Sequence, residues 1–235
     1  MDDETRAILN QINRDFYATT AKEFDATRGR AWAGWEQLVA SITLPIASVL
    51  DVGCGNGRFG VFMAEQQTAP LLYHGVDNSA SLLNYARTTL EPYSHLTVTL
   101  TEQDAILGDI PDGQFELVGL FGVMHHVPGF VQRRAFIQEL AERVAIGGYL
   151  VFAAWRFYEQ ERFRKRIVAW DGVDVERHDY LLDWRRGERA LRYCHYVDDV
   201  EHTDLIEATG FDVLADYRAD GSTGDLNRYT VLQKR

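Results

Sequence analysis

The chain has 235 residues, of which 46% are hydrophobic, with a formal net charge of -11 and two cysteines. That is enough chain for one large α/β domain with an insertion. It is too acidic on average to grip nucleic acid by charge alone and too poor in cysteine for a disulfide framework or a zinc site.

Residues 2 to about 24 place Ile8, Leu9, Ile12 and Phe16 at helical spacing and predict a cover helix. The opening MDDETRAILN is acidic where a signal peptide would be basic. No apolar run approaches the ~18 residues of a membrane span. A soluble, reducing, cytoplasmic setting without a membrane partner is therefore expected. A second helix, Trp35 to Ile42, is broken at Pro45.

Ser48 to Gly60, SVLDVGCGNGRFG, is the centre of the chain. Its apolar start reads as a buried strand closed by Asp51. Gly53, Gly55 and Gly57 then make a sharp turn into a helix that runs to about Gln67. Leu71 to Val76 is a second strand ending at Asp77-Asn78, and Ser79 or Ser81 can cap the next helix, Leu82 to Thr89. Leu96 to Leu100 is a third strand, followed by Gln103-Asp104-Ala105. Phe115 to Phe121 is a fourth, ending in Gly122-Val123-Met124-His125-His126. A helix from Gln132 to Val144 is expected to stop at Gly147-Gly148 before a fifth strand, Tyr149 to Ala154. Trp155 to Arg192 reads as helical and then irregular. It carries ten Lys and Arg against eight Asp and Glu, so the remainder is more acidic than the whole. Val200 to Thr209 is a last helix ended by Gly210. Phe211 to Tyr217 and Tyr229 to Gln233 close the chain as two strands. Strands alternating with helices predict a mostly parallel sheet covered on both faces.

In such sheets the ligand lies off the carboxyl ends of the strands. Three acids end three successive strands here: Asp51, Asp77 and Asp104. Asp77, with Asn78 beside it, is placed to take ribose hydroxyls. Asp104, with Ala105, is placed to accept from an adenine amino group. The carbonyls of Phe121 and Gly122 are placed to hold an ammonium group. The stretch from Gly55 to Gly60 also fits the dinucleotide fingerprint, so an NAD-dependent enzyme stays open. A pyrophosphate avoids a neighbouring carboxylate, whereas a cationic, phosphate-free nucleoside such as S-adenosylmethionine is favoured by one.

DVGCGNG, with Asn56 inside it, resembles the first motif of class I S-adenosylmethionine-dependent methyltransferases. The resemblance covers about Ser48 to Ala154 and the tail after Val200. It implies a Rossmann-like, seven-stranded, mostly parallel sheet with helices on both faces and an antiparallel last strand. The chain then divides into N-terminal cover helices (1–47), a cofactor-binding core (48–154), a substrate-side insertion (155–199) and a closing helix and strands (200–235). Outside the core, Phe24-Asp25-Ala26-Thr27-Arg28 with Trp32, Met124-His125-His126, Tyr180-Leu181-Leu182-Asp183-Trp184, Arg192-Tyr193-Cys194-His195-Tyr196 and the tail from Asn227 to Lys234 resemble the tRNA wobble-uridine carboxymethyl methyltransferases. That family methylates the carboxylate of 5-carboxymethyluridine, and its eukaryotic members work with a small activator subunit.

A carboxylate acceptor is already ionised near neutral pH and needs no general base. Catalysis then rests on alignment, with a basic residue to orient the acceptor. Arg28 is the first candidate, because arginine makes bidentate pairs; it could instead bind the methionine carboxylate. Arg30 and Arg156 follow it. His126 would be the base if the acceptor were an uncharged oxygen or nitrogen. Trp32, Trp155 and Trp184 are candidates to stack a base, and His195 to edge the acceptor cleft. Adjacent histidines on a strand end point in opposite directions, so no metal is expected at His125-His126. A small-molecule acceptor, favoured by the acidic charge, and a non-catalytic cofactor-binding partner remain alternatives.

Overall fold

A computed structural model describes the chain except Thr27, Arg28, Gly29, Asp109, Asp171, Arg186 and Gly187, and describes 21–26 in backbone only. The first strand, β1 (Ser48–Val52), pairs in parallel with β2 (Leu71–Asp77) on one side and β4 (Phe115–Phe121) on the other. β3 (Leu96–Glu102) lies outside β2, and β5 (Val144–Trp155) lies outside β4. β6 (Ile167–Val168), β7 (Asp179–Trp184) and β8 (Ala190–His195) form a separate antiparallel sheet. β9 (Asp212–Ala219) and β10 (Asn227–Gln233) complete the main sheet in the order β3-β2-β1-β4-β5-β10-β9. β10 is antiparallel to both neighbours, as the resemblance implies. The strand order reverses direction at β1 and β4, which opens a crevice at their carboxyl ends.

Side-chain alternation along β1 feeds two cores. Val49 enters one with Trp35, Phe59 and Met63; Leu50 and Val52 enter the other with Phe136, Ile137 and Leu205. The first core is covered by α2 (Gly34–Ser41), α3 (Arg58–Gln66) and α4 (Ala80–Leu90). The second is covered by α5 (Phe130–Glu142) and α7 (Asp199–Thr209). Ser79 caps α4, accepting from Leu82 N at 3.3 Å, and Asp198 caps α7 through Val200 N and Glu201 N. Such caps contribute about 1 kcal/mol each. α1 (Asp3–Ala26) packs against β8 and reaches α4, so the cover helix bridges the two sheets.

Two elements differ from expectation. α5 ends at Glu142 rather than at the glycine pair, and β5 begins at Val144. Gly147 and Gly148 lie inside that strand, where its pairing with β4 shifts register between Phe115 and Leu117. Gly147 takes φ +77° there, so the pair serves a strand irregularity rather than a helix stop. The insertion is also more regular than its sequence suggests. After a short 3-10 turn (Phe157–Glu159) and α6 (Glu161–Arg164), it becomes the β6-β7-β8 sheet.

Candidate active site

Three left-handed glycines bend the chain between β1 and α3: Gly53 (φ +74°), Gly55 (φ +56°) and Gly57 (φ +78°). A side chain at any of them would be strained. Gly53 N and Cys54 N donate to the Val76 carbonyl, at 2.8 and 3.0 Å, and tie the turn to the end of β2. A Cβ at Gly55 would meet nothing within 4 Å, so this backbone faces open space. Gly57 has a different task. A Cβ there would press Ala86 and Leu90 of α4 at 3.1 Å, and the residue does not line the cavity. Gly57, expected at the cofactor, thus packs against α4 beside the residues that line the cavity.

The cavity above the turn brings together the other residues expected at a cofactor. Asp51, Gly53, Gly55 and Asn56 line it from the first strand and its turn. Asp77 and Asn78 line it at the end of β2, Asp104 and Ala105 in the loop after β3, and Phe121 and Gly122 at the end of β4. Asp77 accepts from Gly55 N through one oxygen and from Ser79 N through the other, both at 2.9 Å. Burial raises its pKa to about 6, against those backbone hydrogen bonds, and the charge of Asp104 adds to the rise. Asp51 is buried and accepts from the Tyr73 hydroxyl at 2.6 Å. Its burial is the larger influence, and its pKa rises to about 7. Asp104 accepts from Ile106 N at 3.0 Å and pairs with Arg14 of α1 at 3.2 Å.

These residues fit S-adenosylmethionine. An open glycine turn, acids at three adjoining strand ends and a roof helix match a cationic nucleoside without phosphate. Asp77 and Asn78 would take the ribose, Asp104 and Ala105 the adenine, and the end of β4 the amino acid.

A second cavity, about 770 Å³, adjoins the first and shares Tyr17, Arg58 and Gly122 with it. Of the residues expected at an acceptor, Arg30, Trp32 and Trp184 line it, and so does Trp155. Arg28 lies outside the described residues. Arg156 and His195 line neither cavity. Arg156 is 2% exposed and donates to Glu159 and the Val197 carbonyl at 2.8 Å, with Asp199 at 3.0 Å. It fastens the end of β5 to α7.

His195 is enclosed between Asp179 and Glu201, at 2.7 Å on each ring nitrogen. Burial opposes its protonation, but the two carboxylates outweigh burial and raise its pKa. Glu201 also accepts from Arg133, and Asp179 from the Tyr193 hydroxyl. This network joins β7 and β8 to α5 and α7. Replacing His195 with Leu leaves two buried carboxylates without their shared partner. We expect a loss of about 3–5 kcal/mol, read as a lower midpoint in urea. The raised pKa makes the contribution greatest at low pH, fading as pH rises through the folded-state value.

His125 and His126 sit on a 3-10 turn (Met124–His126), not on a strand end, and their rings lie 4.1 Å apart rather than on opposite sides. His126 Nδ1 donates to the Tyr193 carbonyl at 3.0 Å, which leaves Nε2 to accept from the Tyr17 hydroxyl at 2.9 Å. With Cys194 these histidines place one ligand atom each within 4.8 Å of one another. Burial pushes the Cys194 thiol up to about 12. Both cysteines are free.

Sequence reasoning missed Tyr17, Arg58, Arg166 and Arg192. Arg58 lies over Trp32 at 4.8 Å, and burial lowers its pKa to about 10. Arg192 is 8% exposed, with its guanidinium 4.5 Å from the Trp155 ring and 5.9 Å from Trp184. Strand alternation along β8 was the available signal. It turns Arg192 and Cys194 to one face and Tyr193 and His195 to the other.

Fold and site together define an S-adenosylmethionine-dependent methyltransferase of the class I fold. The family described as "Methyltransferase domain" matches residues 49–148. An Encephalitozoon cuniculi chain named as a methyltransferase is 28% identical over the full length of both. The Schizosaccharomyces pombe tRNA (carboxymethyluridine(34)-5-O)-methyltransferase is 28% identical over 87% of this chain and 90% of its own. Among solved structures, the Synechocystis magnesium protoporphyrin IX methyltransferase with bound S-adenosylhomocysteine superposes with a TM-score of 0.66 at 18% identity, covering 96% of this chain and 99% of that one. A Methanosarcina mazei methyltransferase gives 0.67 at 17% identity, covering 84% and 96%. No described helix is long and apolar enough to cross a membrane.

Proposed function

We propose that the chain methylates the carboxylate of a carboxymethyl-modified wobble uridine in tRNA. The observation that carries this reading is the charge balance of the second cavity. Arg30, Arg166 and Arg192 line it, and among the described residues none of their guanidinium groups has an ion-pair or hydrogen-bond partner. Its two acids are already engaged. Asp183 pairs with Arg185 at 2.6 Å, and Asp220 accepts from Gly34 N, Asn227 and Tyr229. The cavity thus presents cations and tryptophan faces, which suits a carboxylate carried on a flat base. The fission yeast relative's name supplies the specific acceptor.

The cofactor supplies an electrophilic methyl on sulfur. The chain's own work is to hold the acceptor oxygen at the junction of the two cavities, exclude water there and neutralise the acceptor's charge until it reacts. Arg28 is carried in the same role. Expected partners are tRNA and a small activator subunit, and the expected setting is the cytoplasm.

Methyl-labelled cofactor, with and without the activator, should label tRNA bearing carboxymethyluridine, and mild alkali should release the label as an ester would. Alkali-stable label, or label confined to metabolites, would sink the reading. A small-molecule acceptor is the second reading, favoured by the net charge of -11 and by His126, whose Nε2 faces Tyr17 at the junction.

A further inference from the structure

We propose that Asn13 is a cofactor ligand, supplied by the roof helix α1 to the adenosine half of S-adenosylmethionine. Asn13 is 7% exposed and lines the cofactor cavity. Among the described residues neither its Nδ2 nor its Oδ1 has a hydrogen-bond partner. A buried carboxamide with both ends unmet is destabilising, and native structures rarely keep one unless something else satisfies it.

Its place along α1 points to the nucleoside. Arg14, the next residue, pairs with Asp104 at 3.2 Å, and Asp104 stands where adenine is expected. Tyr17, one turn further and on the same face, meets His126 where the two cavities join. Asn13 therefore lies between the adenine end and the reacting end.

The chemistry of the cavity agrees. Ionised Asp77 and Asp104 can only accept hydrogen bonds, so they suit the ribose hydroxyls and the adenine amine. The ring nitrogens of adenine are acceptors and need a donor. Asn13 Nδ2 is such a donor, while its Oδ1 remains for a hydroxyl or amine. Binding of the nucleoside would then fasten α1 over the site as well as fill it.

The test titrates the full chain calorimetrically with S-adenosylhomocysteine and with 5′-methylthioadenosine, which lacks the amino-acid end. Binding of S-adenosylhomocysteine by the unaltered protein checks the cofactor assignment separately. Asn13→Leu should weaken both ligands about tenfold, as loss of one or two hydrogen bonds does. Because the orphaned amide is gone, the ligand-free protein should melt no lower than the unaltered one. Asn13→Ala serves if Leu disrupts folding. Affinity within twofold for both ligands would overturn the inference. So would weakened S-adenosylhomocysteine binding with unchanged methylthioadenosine binding, because the contact would then lie at the methionine end. A lower melting temperature in both variants would make Asn13 a packing residue and equally overturn it.

Discussion

Replacing Arg192 with Met should lower kcat/KM for the carboxylate acceptor by about 10²- to 10³-fold, while S-adenosylhomocysteine affinity stays within twofold. The magnitude is that of a charge-assisted, bidentate hydrogen-bonded pair formed out of water, about 3–4 kcal/mol. Arg192 is singled out from the other arginines by its setting. It is held between the rings of Trp155 and Trp184, with Phe16 of α1 also at 5.4 Å, so its guanidinium is positioned before any acceptor arrives. Arg30 is exposed and Arg58 is already occupied with the Arg30 carbonyl and two tryptophan rings. Met keeps the length and apolar bulk that fill the space between the rings, so a purely structural role predicts near-normal turnover. Lys keeps the charge but not the fork, and should recover only part of the loss. Turnover within a few-fold of normal in Arg192→Met would remove the carboxylate from the proposed reaction.

The residues that make this prediction also mark what the sequence reveals and what it hides. The cofactor cavity is legible because its parts are local. Each acid closes a strand that the apolar pattern already identifies, and the glycine turn is one continuous stretch. The second cavity is assembled differently. Arg192 of β8 meets Trp155 at the end of β5 and Phe16 of α1, contacts between segments far apart in the chain. No periodicity in any one segment records them. The second sheet stayed hidden for a related reason. β6 is two residues long, and Asp179 begins β7 as a buried acid whose partners, Tyr193 and His195, lie across the β7-β8 pairing. His195 lies on β8 directly across from Asp179 of β7. Its face turns towards Asp179 and away from the tryptophans.

The preference for S-adenosylmethionine over S-adenosylhomocysteine should rise on the order of tenfold between pH 5.5 and 7.5. The two ligands differ by one positive charge, on the sulfur. Asp51, with a pKa near 7, and Asp77, near 6, both gain their negative charge across this window, and burial in the cavity keeps water from screening it. As pH falls through 7 and then 6 the cation loses much of this attraction, and the neutral thioether competes better. A charge separation of several ångströms at an effective dielectric near 20 gives 1–3 kcal/mol, which sets the size of the effect. Folding stability should move the other way. A carboxyl whose folded pKa is raised from 3.8 to about 7 holds its proton more tightly in the folded chain than in the unfolded one. Its stabilising contribution is full below pH 4 and is lost as pH rises through 7. Asp51→Asn keeps an oxygen to accept from Tyr73 and cannot ionise. It should therefore raise the melting temperature of the ligand-free protein at pH 7.5 and flatten the pH dependence of ligand preference together. A variant that is no more stable at pH 7.5, yet keeps the full pH-dependent preference, would show that Asp51 is not the charge the sulfonium meets.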